Sequence, residues 1–190
     1  MKPCVSSSRP PPKPNPPRKS FPRRLALRPQ ETKLSGRNPK YRAFFQALAA
    51  ELAAQGVTGI GTVSGGNWLR IAAGPKAIYH YAIVFNGGKK LTAELYIGGS
   101  RKKKNEELFD ALSLVKAEIH ADFGETLLWD RLDSEACCRI SITRPGSIDD
   151  PDLTDISAWA ISRILAFRRV FPPHIAAAAS RHPSAPIPSA

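Results

Sequence analysis

Ten of the chain's 18 prolines lie in residues 1–40, and five more follow Phe171. Between Tyr41 and Phe171 there are only Pro75, Pro145 and Pro151. Proline fixes φ and removes a backbone donor, so the flanks are predicted to build neither helix nor sheet interior. Regular structure is thereby confined to about 130 of the 190 residues, the size of one ordinary domain. A domain of that size buries roughly 60% or more of its unfolded surface and needs no covalent staples. The sequence predicts a single α+β domain at 41–173, a disordered basic Pro-rich tail at 1–40 and a disordered Ala/Pro-rich tail at 174–190. No apolar run approaches the ~20 residues of a membrane span.

The net charge of +12 divides along the same line. The first 40 residues hold 11 Lys and Arg against one acid, Glu31, while the remainder holds 17 against 15. The basic pI therefore describes a tail. Such an arm attracts polyanions with little sequence preference, or simply solubilises the chain. Arg9–Lys19 favours polyproline II. Its Pro14–Pro17 spacing followed by Arg18 suits an SH3-type groove, although in so proline-dense a stretch the spacing is nearly automatic. The three cysteines, Cys4, Cys137 and Cys138, have no framework spacing, as expected of a reducing cytoplasm. Neighbours on a strand face opposite ways, so Cys137 and Cys138 are not expected to bridge. The amino terminus has no secretory apolar region.

Phe45, Leu48 and Leu52 recur at helical spacing over Tyr41–Gln55, and Gly56 is placed to stop that helix. The turn-rich GVTGIGTVSGGN segment follows. Trp68–Ala72, Ile78–Phe85 and Leu91–Gly98 read as strands, the last two joined by an Asn86-Gly87-Gly88 turn. Ile78–Phe85 carries β-branched and aromatic residues on both faces and reads as a central strand. One long helix is predicted over Lys103–Phe123, with Leu108, Leu112, Val115 and Ile119 as its stripe and Gly124 as its stop. Strands at Thr126–Leu132 and Ala136–Thr143 follow. A last helix starts at Asp149 or Asp150 with Pro151 in its first turn, and Pro172-Pro173 ends it. The fold class is a two-layer α+β domain: a five-stranded, mainly antiparallel sheet with three helices on one face, in the order α-β-β-β-α-β-β-α. That order resembles the type III secretion chaperone fold, without a shared residue motif.

Recognisable catalytic patterns fail one by one. Gly59-x-Gly61-x-x-x-Gly65 follows a helix and misses the dinucleotide spacing. Gly98–Lys102 lacks the glycine spacing of a phosphate loop, and Ser64 lacks the nucleophile elbow. No zinc set exists at motif spacing. A PD-(D/E)xK nuclease strand would need lysine where Glu94-Leu95-Tyr96 places tyrosine. His80 shares a strand face with Ile78, Ala82 and Val84 and reads as a core histidine. No catalytic, cofactor-binding or metal-binding residue is assigned.

Two constellations remain. Arg101, Lys102, Lys103 and Lys104 put four cations at a helix start, against its dipole, a cost that a phosphate would reverse. The alternative is a solvated end with Lys102–Glu106 and Lys103–Glu107 pairs. If Leu69, Ile71, Leu95, Ile97, Cys138 and Ile140 point inward, then Trp68, Arg70, Glu94, Tyr96 and Arg139 point outward. Arginine with aromatics suits base stacking or a protein interface, and the alternative is an ordinary solvated face.

From Asn105 to Phe171 the chain reads ELFDAL, KAEIHADFG, LLWDRLD, CRI, an acidic Pro-containing turn, and a Trp-containing helix ending FRRVF-PP. This resembles a bacterial family, domain of unknown function 4268. Leu108, Leu112, Ile119, Phe123, Gly124, Leu127, Trp129, Arg131, Leu132, Arg139, Ile140 and Trp159 carry the resemblance. It implies a domain that often sits C-terminal to restriction-nuclease-like domains and has no catalytic residue to carry over. Glu is usual in that family where this chain has His120. The expectation is a non-catalytic accessory module of a restriction or defence nuclease, cytoplasmic and without cofactor, touching nucleic acid through its basic segments. The alternatives are a protein-interaction module, dimeric or chaperone-like, using the sheet face, and a truncated nuclease-associated remnant. No membrane partner is expected.

Overall fold

The computed structural model describes residues 38–74, 77–87, 89–99 and 101–181, which all fall in one compact unit, Leu34–Ala190. Residues 1–37 of the expected basic tail, and 182–190, lie outside the described residues. The elements are α1 (Asn38–Ala54), β1 (Trp68–Ala72), β2 (Tyr79–Asn86), β3 (Lys90–Ile97), α2 (Lys102–Ser113), α3 (Lys116–Phe123), β4 (Leu128–Asp130), β5 (Cys138–Pro145) and α4 (Thr154–Arg181). The strands form one sheet in the order β1-β2-β3-β5-β4, and every neighbouring pair is antiparallel. The α+β class and the antiparallel sheet are those the alternation predicts. The sheet centre is β3, with β2 beside it.

All helices share one layer. α4 lies over β2 and β3, with α1 against it on the β1 side and α2 and α3 on the other. The sheet face beneath them is apolar except at its β5 end, where Arg144 stands in register with Leu91 and donates to the Asp155 carbonyl at 3.1 Å. Leu69, Ile83, Ala93 and Ile142 stand in cross-strand register, and so do Ile71, Tyr81, Leu95 and Ile140. Phe45, Leu48 and Leu52 of α1 meet them, with Ile164, Phe167 and Phe171 of α4, all fully buried. α1 closes with two bonds that satisfy its last carbonyls: Gly56 N–H to Ala53 at 2.9 Å and Val57 N–H to Leu52 at 3.0 Å. The buried Val57 and Leu52 complete that cap with an apolar contact.

The predicted long helix is two helices, which makes the count four among the described residues. The Ser113 hydroxyl bonds the Phe109 carbonyl at 2.9 Å, and Val115 leaves helical geometry at φ −112°, ψ 24°. The break resets the phase. Phe109 and Leu112 of α2 and Ile119 and Phe123 of α3 all enter the core, while Leu114 stays 81% exposed.

α4 differs from expectation at both ends. Its start is Thr154, not Asp149 or Asp150, because the nearby acids are engaged in a turn. Asp149 pairs with Lys40 at 2.7 Å, Asp150 accepts the Ser147 N–H at 2.9 Å, and Asp152 accepts the Thr154 N–H at 2.8 Å. At the other end the helix runs through Pro172 and Pro173 to Arg181, so residues 174–181 are not tail. Ala178 is buried and Ile175 packs on the core, so tertiary packing overrides the two missing N–H donors.

Both sheet edges are managed. β4 is only three residues long. The loop after α1 lies along β1, with Ile60 bridged to Ile71 and the Gly61 N–H donating to the Arg70 carbonyl at 2.8 Å. Gly59 is required there. Its φ is +78°, and a Cβ would sit 2.8 Å from the Ala72 carbonyl oxygen. Among the described residues, no helix is long and apolar enough to cross a membrane.

Candidate functional site

The sheet face opposite the helices carries the chain's unusual side chains. Strand pairing arranges it in rows. One runs Ala72, His80, Tyr96, Arg139 and Asp130. The next runs Arg70, Ala82, Glu94, Ser141 and Leu128, and the third Trp68, Val84, Thr92 and Thr143. The five residues expected outward, Trp68, Arg70, Glu94, Tyr96 and Arg139, therefore share this one face. His80 is a correction. It does align with Ala82 and Val84, but on the open face, because Tyr81, Ile83 and Phe85 are the β2 residues that enter the core.

His80, Tyr96 and Arg139 form a stack across three strands. The His80 and Tyr96 rings are 4.8 Å apart at 34°, and the Arg139 guanidinium lies 5.7 Å from the Tyr96 ring centroid. Gly98 sets the Tyr96 ring down along its own strand, where a Cβ would come within 2.1 Å of Cε1. The Cys137 thiol beside it, with burial, holds the Tyr96 hydroxyl's pKa above the ordinary phenol range, and that thiol donates to the Glu135 carboxylate at 3.8 Å. Cys137 and Cys138 are both buried and free. Cys138 faces the core, and Cys137 sits below Tyr96 and accompanies it on the open side.

Beside the stack the face sinks. Glu94 is flanked in its row by Ala82 and Ser141, whose side chains are too short to fill the space, and a pit of about 240 Å³ opens between Trp68, His80, Tyr96 and Arg139. Glu94 is 8% exposed, much deeper than simple alternation implies. It makes no hydrogen bond, and no ion pair within 4.0 Å, with any described residue. Burial pushes its carboxyl pKa up. Arg139 opposes that rise and Asp130 adds to it. Burial, then the Arg70 charge, brings His80 down to about 4, so its ring is neutral at pH 7.

The cation cluster stands at the start of α2. Arg101 is the N-cap residue without a side-chain cap bond, and the first turn holds no acid. Lys102 donates to the Asp133 carbonyl and lies 3.6 Å from Glu106. Lys103 lies 3.9 Å from Glu107. Arg101 and Lys104 make no ion pair with a described residue. β3 delivers the chain from Tyr96 to Arg101 in five residues, at most about 17 Å of extended backbone. The two predicted constellations thus lie at the same end of the sheet, the cations in the helix layer and the stack on the open face.

Asn105 organises that junction, and no local signal marks it. It is fully buried. Its Oδ1 accepts the Gly99 N–H at 2.9 Å, and its Nδ2 donates to the Gly99 carbonyl at 3.2 Å and to the Ala136 carbonyl at 2.6 Å. One amide therefore fixes the end of β3 and the entry to β5 against α2. Arg131 adds a fork onto Asp110 at 2.9 and 3.0 Å. His120 accepts at Nε2 from the Trp129 indole at 2.9 Å and from the Leu127 N–H at 3.3 Å. A glutamate carboxylate there would be an acceptor too, which accounts for His and Glu both suiting this position.

A larger cavity, about 700 Å³, lies elsewhere, between α1, α3 and α4. There Arg163 pairs with Glu125 and Arg169 donates to the Asp122 carbonyl at 3.3 Å, while the buried Arg163 Nε and the Glu51 side chain make no hydrogen bond with a described residue. Among the described residues, no three His, Cys, Asp or Glu side chains gather to hold a metal.

No curated protein and no solved structure matches the chain. The family described as "Domain of unknown function (DUF4268)" matches residues 40–175, a stretch that spans every strand, the open face and the cation cluster. With about seven-tenths of its length inside that match, the chain belongs to the domain of unknown function 4268 family.

Proposed function

We propose that this domain is a non-catalytic nucleic-acid-binding module that lays a strand across the open sheet face, as an accessory to a restriction or defence nuclease. The observation that carries the reading is the His80–Tyr96–Arg139 stack, set at the same end of the sheet as the α2 cations. Ring faces take bases of any sequence, and cations beside them take phosphates. The nuclease association rests on the neighbours such domains usually keep and is an analogy.

The test is binding of labelled single-stranded DNA by the full chain across a salt series. Replacing Arg101, Lys103 and Lys104 by alanine should flatten the log–log salt dependence by about 2, since each phosphate no longer neutralised removes ~0.7 from the slope. Tyr96→Ala should weaken binding about tenfold at every salt. Absence of binding even at low salt would refute the reading.

A second reading has its own support. Trp68 is 48% exposed and Leu128 54% exposed, at opposite edges of the same face. A protein partner or a second copy would cover both. Sedimentation of the full chain, with Trp68→Ser and Leu128→Ser as the paired variant, tests self-association directly.

A further inference from the structure

We propose that the pit at the centre of the open face is a nucleobase pocket, in which the Glu94 carboxylate accepts two hydrogen bonds from the imino and amino edge of a guanine. The proposal rests on the nucleic-acid reading above and narrows it.

Glu94 is more than nine-tenths buried and lines the pit, yet no described donor reaches it. A carboxylate offers two oxygens and about four lone-pair sites. Buried acceptors find donors as a rule, and none of the neighbours here is placed to supply them. Ala82 has no donor, Arg139 is drawn over the Tyr96 ring, and His80 stacks on the same ring. The Glu94 oxygens open onto the pit, so their donors are water or the N–H groups of a ligand that displaces it. At about 240 Å³ the pit holds the volume of about eight waters, which suits one planar ring system between Trp68 and the His80–Tyr96 wall.

A lysine or arginine from a partner protein could also satisfy a carboxylate. The rim argues against it. Arg139 stands on the adjacent β5 and Arg70 two strands away in Glu94's own row, against one nearby acid, Asp130, and the α2 cations stand at the end of the same sheet. That rim repels a cation and attracts phosphate. A ligand with N–H groups facing the pit and negative charge outside it is a nucleotide. Among the bases, guanine presents two adjacent donors, N1–H and N2–H, matched to the two carboxylate oxygens. Cytosine and adenine each present one amino group there, and thymine sets its single N–H between two carbonyls that would oppose the carboxylate.

The test uses the full chain and thymine nonamers with guanine, inosine, adenine, cytosine or thymine at the centre, read by anisotropy. Inosine removes only the N2 donor. The central-guanine nonamer should bind roughly tenfold tighter than the inosine and all-thymine ones. Glu94→Gln, checked for unchanged far-UV circular dichroism, should abolish that preference and leave all-thymine affinity within about twofold. Equal binding of the five nonamers by the unaltered chain overturns the pocket and leaves the nucleic-acid reading standing. No binding of any nonamer, with Glu94-dependent binding of a lysine-rich peptide instead, overturns both.

Discussion

Replacing Asn105 should be among the most damaging single changes available to this domain, and its cost can be worked from the geometry. Truncation to alanine strips the partners from three backbone groups at a fully buried position: the Gly99 N–H, the Gly99 carbonyl and the Ala136 carbonyl. The orphaned N–H is the most expensive, because a carbonyl has a second lone pair and finds substitutes more readily. At about 1–3 kcal/mol for each buried group left unpaired, with the lower figure for the carbonyls, the loss is about 3–5 kcal/mol. Domains of this kind have about 5–15 kcal/mol in total. The melting temperature should fall by roughly 6–20 °C, at about 2–4 °C per kcal/mol. Asn105→Asp separates hydrogen bonding from packing. It conserves volume and keeps an acceptor for the Gly99 N–H, but sets an oxygen against two carbonyls in place of the donor. If bonding governs, Asp is as harmful as Ala or worse at pH 7. If shape governs, Asp is nearly neutral. Equilibrium urea denaturation followed by circular dichroism, at constant m-value, decides. A loss below about 1 kcal/mol for Asn105→Asp would refute the reasoning.

Three further outcomes are expected. The unfolded chain protonates His80 near 6.5 and the folded chain only near 4. Its contribution is therefore intact above pH 6.5 and declines as pH falls toward 4, by about 2–3 kcal/mol; His80→Gln should flatten the stability–pH curve across that window. His120→Ala should cost about 1–2 kcal/mol by releasing the Trp129 indole and Leu127 N–H, whereas His120→Glu should retain most of it, as read by urea denaturation and indole emission. Gly98→Ala, whose Cβ would fall 2.1 Å from the Tyr96 ring, should displace that ring and lower oligonucleotide affinity about tenfold with little change in melting temperature.

Strict alternation makes β1, β3 and β5 legible. Leu69, Ile71, Leu95, Ile97, Cys138 and Ile140 all lie in the core as their spacing implies. In β2 both faces are apolar, so alternation cannot say which one the helices cover, and His80 reads as a core residue for that reason. The depth of Glu94 is not legible because it is a property of register. It arises from small residues on the two flanking strands, Ala82 and Ser141, and nothing within β3 itself announces them. Asn105 is invisible for a similar reason, since its partners are 6 and 31 residues away. The break between α2 and α3 contains neither glycine nor proline, and the one strong breaker signal, Pro172-Pro173, falls inside a helix whose packing outweighs it.

The two faces of the sheet obey different rules, and the difference bears on function. The helix-covered face is apolar at its centre, with Arg144 at one end satisfied by the Asp155 carbonyl, as a sequence selected for stability would arrange. The open face breaks that pattern at its centre. Burial raises the pKa of Glu94 above the unfolded value, so it destabilises the fold as pH rises through that interval. Burial depresses the pKa of His80, so it destabilises the fold as pH falls. Neither gains a compensating ion pair within 4.0 Å among the described residues. Glutamine at Glu94 would conserve volume and remove the buried charge, and should raise stability at neutral pH while the advantage fades toward acid. A residue that lowers stability at working pH, sits on the solvent-open face of the sheet and lies beside an aromatic–arginine stack has no gain for the fold to set against its cost, and the proposed ligand supplies one.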